Sequence, residues 1–263
     1  MCKNLHIFQR RKKIYDIVFQ VSNHDIAFKY RVYSQDNILC CIVKKEATGF
    51  MLPEGSTTFL CPQAAPMGGF ARTSPSYETS YTVDDVTGKN GWGNGYTFPC
   101  LFKNEDKGWI LISETGVSSA YCGSRLLGKE NGLYTIGFPQ EGEYNGNGTV
   151  SPGIALPGET PWRTILLVKH LAPIVETTVM FDVVKPLYEA SQDFQYGCGT
   201  WSWIIGGDNS MNYDEQKRYI DFSADMGYSS VLVDALWDTQ VGRDKIAELA
   251  DYAASKGGTL SLV

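Results

Sequence analysis

No stretch of this sequence stays apolar for the roughly 20 residues that a membrane-spanning helix needs. A signal peptide is also lacking, because MCKNLHIFQRRKK leads into polar-interrupted sequence and not into an apolar core with a small-residue cleavage site. Read literally, this predicts a cytoplasmic protein without a membrane span. A leader missing from the sequence would leave the same pattern.

Acidic residues outnumber basic ones, and the net charge is −6. A negative balance of this kind argues against nucleic acid as a partner. The one basic run, RRKK at 10–13, is short and is interpreted as a solvated tail. The seven cysteines are scattered and contain no CxxC pair, so we predict buried free thiols and no zinc site.

Aromatic residues are abundant, with 6 Trp and 15 Tyr, which indicates a large core or a stacking surface. From about residue 14 to 185 the chain consists of short runs rich in β-branched and aromatic residues, separated by turns rich in Gly, Pro and Asn. NEDKG at 104–108 has the composition of a hairpin loop. Helical periodicity is unconvincing here, and a large antiparallel sandwich is predicted. The predicted strands include IYDIVFQV, IAFKYRVY, NILCCIVKK, WILISE, LYTIGF, TILLVKHL and ETTVMFDVV.

The period changes near residue 198. GTWSWII predicts a strand, and NYDEQKRYIDFSADMG predicts a helix that Asn212 caps and Gly227 ends, with Tyr219, Phe222 and Met226 as its apolar stripe. A second strand, a second helix and a third strand, TLSLV, follow. This β-α-β-α-β order requires parallel pairing.

A doubly wound sheet and a (β/α)8 barrel both fit that order. The loop after the first strand reads WIIGGDNSMN and lacks the G-x-G-x-x-G pattern of dinucleotide folds. A barrel places its chemistry at the carboxyl ends of its strands. There the sequence has Trp201 and Trp203 at the end of one strand, and Asp234 and Trp237 at the end of the next. Aromatic rings and a carboxylate at one barrel mouth favour carbohydrate.

Each of these residues has a second interpretation. Asp234 could hydrogen-bond a sugar hydroxyl, support a catalytic neighbour or cap its own loop. Trp201 and Trp203 alternate along the predicted strand and should point to opposite faces, with Trp201 favoured for the barrel mouth. Trp237 could be a sugar platform or core packing. The G-x-S-x-G pattern of serine hydrolases is absent.

The segment GTWSWIIGGDNSMNYDEQKRYIDFSADMGYSSVLVDALWDTQ, followed by LADYAASKG, resembles the barrel entry of glycoside hydrolase family 97. HDIAFKYRV, SYETSYT, GYTFPCLFKNEDKGWILISETGV and TPWRTILLVKHLAPIVETTVMFDV follow the order of the same family. The resemblance covers roughly residues 22 to 263. Each motif is weak alone, and their joint order is specific.

The resemblance implies an all-β antiparallel super-sandwich at 1–185, a linker at 186–197 and the first βαβαβ portion of a (β/α)8 TIM barrel at 198–263. About two and a half of eight barrel units are present, so we expect the chain to be a fragment of a longer protein. The implied enzyme is exo-acting, removes terminal α-linked glucose or galactose and works in the periplasm or outside the cell. Its two reacting carboxylates are expected beyond Val263. The reaction either inverts or retains the configuration of the anomeric carbon.

Calcium is the implied cofactor, with a glutamate of the sandwich domain among its ligands. Glu78 in SYETSYT is the first candidate, and Glu114 in ILISETG is the second. Calcium takes six to eight oxygens, so other ligands must complete such a site. The alternative for Glu78 is an exposed loop carboxylate.

Two rival hypotheses come from other classes. One is a non-catalytic carbohydrate-binding protein with a truncated barrel, which would bind an oligosaccharide or α-glycoside without cleaving it. The other is an unrelated sandwich joined to a nucleotide-binding half-sheet, which the missing glycine pattern disfavours.

Overall fold

The computed structural model describes most of the chain, in two units that comprise residues 1–187 and 188–263. The described residues are 2–9, 12–62, 82–83, 95–130, 132–146, 148–193 and 196–263. The predicted linker, 186–197, contains no helix or strand among its described residues.

Short strands with β-branched and aromatic side chains make up the first unit, as such residues fit a pleated, half-buried surface. The strands are β1 Cys2–Gln9, β2 Lys12–Val21, β3 Asp25–Val32, β4 Cys40–Ile42, β5 Gly49–Met51, β6 Ser56–Pro62, β7 Thr82–Val83, β8 Tyr96–Asn104, β9 Gly108–Thr115, β10 Arg125–Glu130, β11 Leu133–Gly137, β12 Gly153–Ala155, β13 Gly158–Glu159 and β14 Trp162–Val168.

Within the described part of the chain, twelve of these strands form one antiparallel sheet in the order β1-β2-β3-β14-β9-β8-β10-β11-β5. Three more pairings branch from this path: β13 pairs with β3, β6 with β8, and β7 with β6. β4 and β12 form a separate two-stranded sheet, so only Cys40–Ile42 of the predicted strand at 37–45 is a strand. The prediction of a mostly antiparallel β architecture is confirmed.

The predicted hairpin at 104–108 is present between β8 and β9. Asn104 faces Gly108, and the Lys107 amide donates to the Asn104 carbonyl at 2.9 Å. Gly108 has φ +143°, and a Cβ there would lie 2.4 Å from the Val168 carbonyl oxygen. This turn therefore requires glycine, because a side chain at position 108 would collide with the backbone of β14.

The prediction of a strand at 176–184 is wrong. Two short helices, α1 Ala172–Glu176 and α2 Val179–Asp182, follow β14. Pro173 lies in the first turn of α1, where its missing N–H costs nothing. Val179 is buried against Leu111 and Leu166, so this apolar run packs on the sheet and does not extend it. A short apolar run does not distinguish these two outcomes.

The core of the first unit lies around β8. Leu60, Tyr96, Phe102 and Leu126 are fully buried there. At the start of β10, the Arg125 guanidinium donates two hydrogen bonds of 2.7 and 2.6 Å to the carboxylate of Glu143, which opens a 3-10 turn at Glu143–Gly146. Both side chains are nearly buried, so this bidentate pair fixes the loop after β11.

The second unit has the predicted β-α-β-α-β order. Its three strands are parallel, in the order β15-β16-β17. A buried cluster that includes Met211, Val231, Val233 and Leu249 joins the helices to this sheet. The elements are β15 Gly199–Trp201, α3 Trp203–Gly206, a 3-10 turn at Gly207–Ser210, α4 Tyr213–Asp225, β16 Ser230–Val233, α5 Trp237–Gln240, α6 Arg243–Ser255 and β17 Thr259–Leu262.

Helix α4 begins and ends as predicted. The Asn212 side chain accepts a hydrogen bond from the Glu215 amide at 2.9 Å, and Gly227 has φ +69° after the last turn. Its buried face differs from the prediction, because Phe222 and Met226 are about half exposed at 50% and 52%.

The buried side of α4 is formed by one apolar and two polar residues instead. Gln216, Ile220 and Ser223 are buried. The Ser223 hydroxyl bonds the Thr200 hydroxyl at 2.7 Å, which lets the helix approach β15 closely. A hydrophobicity pattern cannot identify a face that is held by hydroxyl and amide groups.

The Arg125–Glu143 pair makes stability depend on pH. Burial raises the pKa of the Glu143 carboxyl, but hydrogen bonds from Arg125 and Gln140 outweigh burial and hold this pKa below its ordinary value. The pair therefore stabilises the fold above about pH 4.3, the value for an unperturbed glutamate, and this contribution is lost as the pH falls through the lower, folded-state pKa.

We expect Glu143→Gln to lower the free energy of unfolding by about 1.5–3 kcal/mol at pH 7, since it removes a charged partner of the buried Arg125. The difference from the parent should shrink at pH 3, which is below the ordinary glutamate pKa, because the unfolded parent then takes up a proton at this carboxyl. Urea unfolding at both pH values measures it. An equal difference at pH 3 and pH 7 would contradict the assigned ion pair.

Candidate functional site

Trp201 and Asp234 meet at the carboxyl ends of two adjacent parallel strands. Trp201 ends β15 and Asp234 follows β16. The indole Nε1–H of Trp201 donates to Asp234 Oδ2 at 2.9 Å, and Asp234 Oδ1 accepts from the Ala235 amide at 2.6 Å. Asp234 thus caps its own loop and fixes the tryptophan ring. Because parallel strands end at one edge of a sheet, the predicted strand order placed both residues at this edge, and the structure adds the hydrogen bond between them.

Trp203 does not occupy the opposite face of a strand, so that prediction is wrong. β15 ends at Trp201 and α3 begins at Trp203, and this turn places the two indole rings in a stack. Their centroids lie 5.7 Å apart with an interplanar angle of 18°. The alternation rule failed because it holds only while the chain stays extended.

Asp208 is a member of this group that the sequence analysis missed. Its Oδ1 accepts from the indole N–H of Trp203 at 3.0 Å. Each stacked tryptophan therefore has its own carboxylate. A signal existed, because a partly buried indole N–H usually finds an acceptor and Asp208 is the first carboxylate after Trp203.

Trp237 shares its core packing with Trp203 but has a different hydrogen-bond partner. It begins α5, packs against the core cluster of the second unit and donates from Nε1 to the Val263 carbonyl at 3.3 Å. Leu236, just before it, has a left-handed backbone with φ +72°. These contacts favour core packing over a sugar platform for Trp237.

Buried polar groups support the turn that carries the tryptophans. The Gln216 amide nitrogen donates to the Ser202 hydroxyl at 2.9 Å and to the Ser210 carbonyl at 2.7 Å. Ser202 also donates to the Ser210 hydroxyl at 3.0 Å. All three residues are buried, so helix α4 holds both ends of the segment between β15 and the helix.

Glu114, the second candidate calcium ligand, lies in a buried ion-pair network of the first unit. Its carboxylate accepts from the Ser124 amide at 2.8 Å, from the Ser124 hydroxyl and from Arg163 Nη1. The Arg163 side chain is fully buried and donates two further hydrogen bonds, of 3.0 and 2.6 Å, to Glu46. Both oxygens of Glu114 are therefore already engaged, which disfavours it as a calcium ligand.

Burial and the neighbouring carboxylates act together on the pKa values of Arg163 and Tyr121. Burial lowers the pKa of Arg163, but the hydrogen bonds and negative charge of Glu46 and the charge of Glu114 outweigh it and the pKa is raised. Burial and the nearby Glu46 carboxylate raise the pKa of Tyr121, whose hydroxyl donates to Glu46 at 3.4 Å. The guanidinium and the phenol accordingly stay protonated.

Glu78, the first candidate calcium ligand, lies outside the described residues. Among the residues that the structure does describe, no group of three His, Cys, Asp or Glu side chains could hold a metal ion. The assignment of a calcium ligand to Glu78 stays a prediction.

Comparison with known proteins decides the family. The model described as "Glycosyl-hydrolase 97 N-terminal" matches residues 2–186, more than half of the chain. The chain belongs to the glycosyl-hydrolase 97 family. The resemblance noted from the motifs is thereby confirmed.

Several relatives and solved structures match nearly the whole chain. A "probable retaining alpha-galactosidase" of Streptomyces bingchenggensis (strain BCW-1) is 29% identical over 259 residues, covering 92% of this chain and 36% of the relative. The crystal structure of a beta-arabinopyranosidase is 51% identical in sequence and has a TM-score of 0.88. The match covers 98% of this chain and 42% of the arabinopyranosidase chain.

A third match shows the fold alone, because its identity is 21%. It is a Glycoside Hydrolase Family 97 enzyme of Pseudoalteromonas sp. strain K8 in complex with panose, with a TM-score of 0.69. The match covers 99% of this chain and 44% of the Pseudoalteromonas chain. The chain spans less than half the length of each of these three relatives. It corresponds to the N-terminal part of glycoside hydrolases.

Helix length bears on the predicted absence of a membrane span. Within the described residues, no helix is both long and apolar enough to cross a bilayer.

Replacing Arg163 should destabilise the first unit strongly. In Arg163→Met, Glu46 and Glu114 stay buried without their countercharge, which we expect to cost about 3–5 kcal/mol of unfolding free energy. Lys12→Met is the control, since its pair with Asp36 is exposed and should contribute less than about 1 kcal/mol. Urea unfolding measures both. Similar losses in the two variants would contradict the network.

Replacing Asp234 should loosen the stacked tryptophans. Asp234→Ala removes the acceptor of the Trp201 N–H and the cap of Ala235, which should cost the second unit about 1–3 kcal/mol. The near-ultraviolet circular dichroism of the stacked indoles should weaken with it. Asp251→Ala, on the exposed side of α6, is the matched control. An unchanged spectrum in Asp234→Ala would refute the positioning role.

Proposed function

We propose that this chain is the N-terminal part of an exo-acting glycoside hydrolase that removes terminal pyranosyl residues of galacto configuration. The single observation that carries the proposal is the 51% identity to a beta-arabinopyranosidase over 98% of the chain. The curated relative described as a probable retaining alpha-galactosidase supports the same configuration.

The two named activities share one substrate shape. A β-L-arabinopyranosyl ring has the configuration of an α-D-galactosyl ring that lacks its C6 hydroxymethyl group. An α-glucoside differs at C4, where its hydroxyl is equatorial. A site that hydrogen-bonds an axial C4 hydroxyl leaves its buried polar groups unpaired when it meets a glucoside, and such sites discriminate strongly.

In this proposal the second unit is the beginning of a (β/α)8 barrel, and Trp201 lies at its mouth. The indole offers a flat apolar face to the C–H groups of a sugar ring, and Asp234 keeps that face in place. Asp234 is thus a positioning residue whose oxygens are occupied by Trp201 and Ala235. Trp203 and Asp208 repeat the arrangement beside it.

Hydrolysis itself needs a carboxylic acid to protonate the leaving oxygen and a carboxylate to act as base or nucleophile at the anomeric carbon. We assign both groups to the rest of the whole protein, as this chain spans 42% of the arabinopyranosidase. Calcium, with Glu78 among its ligands, and a periplasmic or secreted location belong to the same proposal.

Steady-state kinetics of the whole enzyme on aryl glycosides test the proposal. We expect kcat/KM for the β-L-arabinopyranoside and the α-D-galactopyranoside to exceed that for the α-D-glucopyranoside by at least roughly 100-fold. Assays with and without calcium address the cofactor, and the 263-residue chain alone is the control, with no turnover expected.

Two results would count against this reading. The highest kcat/KM on the α-glucoside would overturn the galacto configuration. Sugar binding without turnover of any glycoside by the whole protein would favour a non-catalytic carbohydrate-binding protein.

A further inference from the structure

A groove of about 630 Å³ opens on the first unit, within the range of small-molecule sites. Its walls come from the turn between β2 and β3, the hairpin between β8 and β9 and the end of β14. The residues that bear on its chemistry are His24, Lys107, Trp109, Lys169 and His170.

The charge of this groove is opposite to that of the chain. Among the described residues, the groove lining contains Lys107 and Lys169, two of the chain's three histidines as neutral polar groups, and no carboxylate, although the net charge of the chain is −6. Lys107 lies 3.6 Å from Glu105, an exposed pair of little strength. Within the described residues, Lys169 has no acidic partner and neither imidazole makes a side-chain hydrogen bond.

Two hydrogen bonds and one close backbone approach hold these walls in place. The Leu167 amide donates to the His24 carbonyl at 2.9 Å, which joins the β2–β3 turn to the end of β14. The Ser22 hydroxyl donates to Asp25 Oδ2 at 2.7 Å and closes that turn. The contact between Gly108 and Val168 seats the opposite hairpin against β14. The cationic groups therefore project from fixed backbone, and a ligand need not order it.

An aromatic ring completes the lining. Trp109 is half-buried, and its ring packs on Phe59 at a centroid distance of 5.6 Å. Lys103 lies 5.8 Å from the same ring. An indole beside exposed ammonium groups suits a ligand with both a flat apolar face and a negative charge.

We propose that this groove binds an acidic saccharide, whose ring contacts Trp109 and whose carboxylate or sulfate pairs with Lys169. The choice of a saccharide over other anions rests on the proposed function, whereas the choice of an anion rests on the lining alone. The groove gives the first unit an affinity for acidic glycans, and this binding requires no catalytic group.

Isothermal titration of the 263-residue chain tests the proposal with matched ligands. The acidic probe is a galacturonic acid trisaccharide, and its fully methyl-esterified form keeps the rings and linkages but removes the charge. A sulfated galactose oligosaccharide distinguishes sulfate from carboxylate, and inorganic sulfate tests the anion alone. Lys169→Glu is the test variant, and Lys44→Glu, an exposed lysine outside the groove lining, is its control.

We expect at least one acidic oligosaccharide to bind at least roughly ten-fold tighter than the methyl ester and inorganic sulfate, and tighter at low salt. Lys169→Glu should weaken that binding at least ten-fold, and Lys44→Glu less than two-fold. Equal effects of the two variants, equal binding of the ester or of inorganic sulfate, or no binding would each overturn the proposal. Because binding is read without turnover, a failed hydrolysis assay would leave this result unaffected.

Discussion

The first unit depends on a buried guanidinium. Arg163 projects from β14, which pairs with β3 on one side and β9 on the other. It holds Glu46 from the loop before β5 and Glu114 from β9, so one cation joins a distant loop to the middle of the sheet. Burial of these charges is costly, and only the full set of hydrogen bonds offsets it. The network therefore specifies one arrangement of strands and loop.

In the second unit, neutral hydrogen-bonding groups fix the arrangement of helix, strand and turn. Serine, threonine and glutamine side chains join α4 to β15 and to the turn that bears Trp201 and Trp203. Small hydroxyl residues allow close approach of helix and strand, and their hydrogen bonds fix the turn. These contacts hold the turn that carries the stacked indoles, and each indole N–H donates to its own carboxylate, Asp234 for Trp201 and Asp208 for Trp203.

Much of the architecture followed from local patterns. Alternating strands, the hairpin at 104–108, the Asn212 cap and the parallel β-α-β-α-β order were all readable, because each depends on neighbouring residues. The helices at Ala172–Glu176 and Val179–Asp182 were missed, since a short apolar run serves equally as strand or helix. The placement of Trp201 and Asp234 at the same edge of the sheet followed from strand order, but the hydrogen bond between them did not. The stacking of Trp203 and the pairing of Glu114 with Arg163 depend on long-range contacts that no local pattern encodes.

Gly108 has a consequence for how this protein can diversify. Its absent side chain lets the β8–β9 hairpin rest on the Val168 carbonyl, so every substitution there is opposed by backbone and not by a movable group. At the β8–β9 hairpin and the end of β14, substitutions are tolerated more readily at neighbouring positions whose side chains are exposed, such as Lys107, Lys169 and His170. Substitutions at these rim positions can change charge and size without removing the seat of the hairpin on β14.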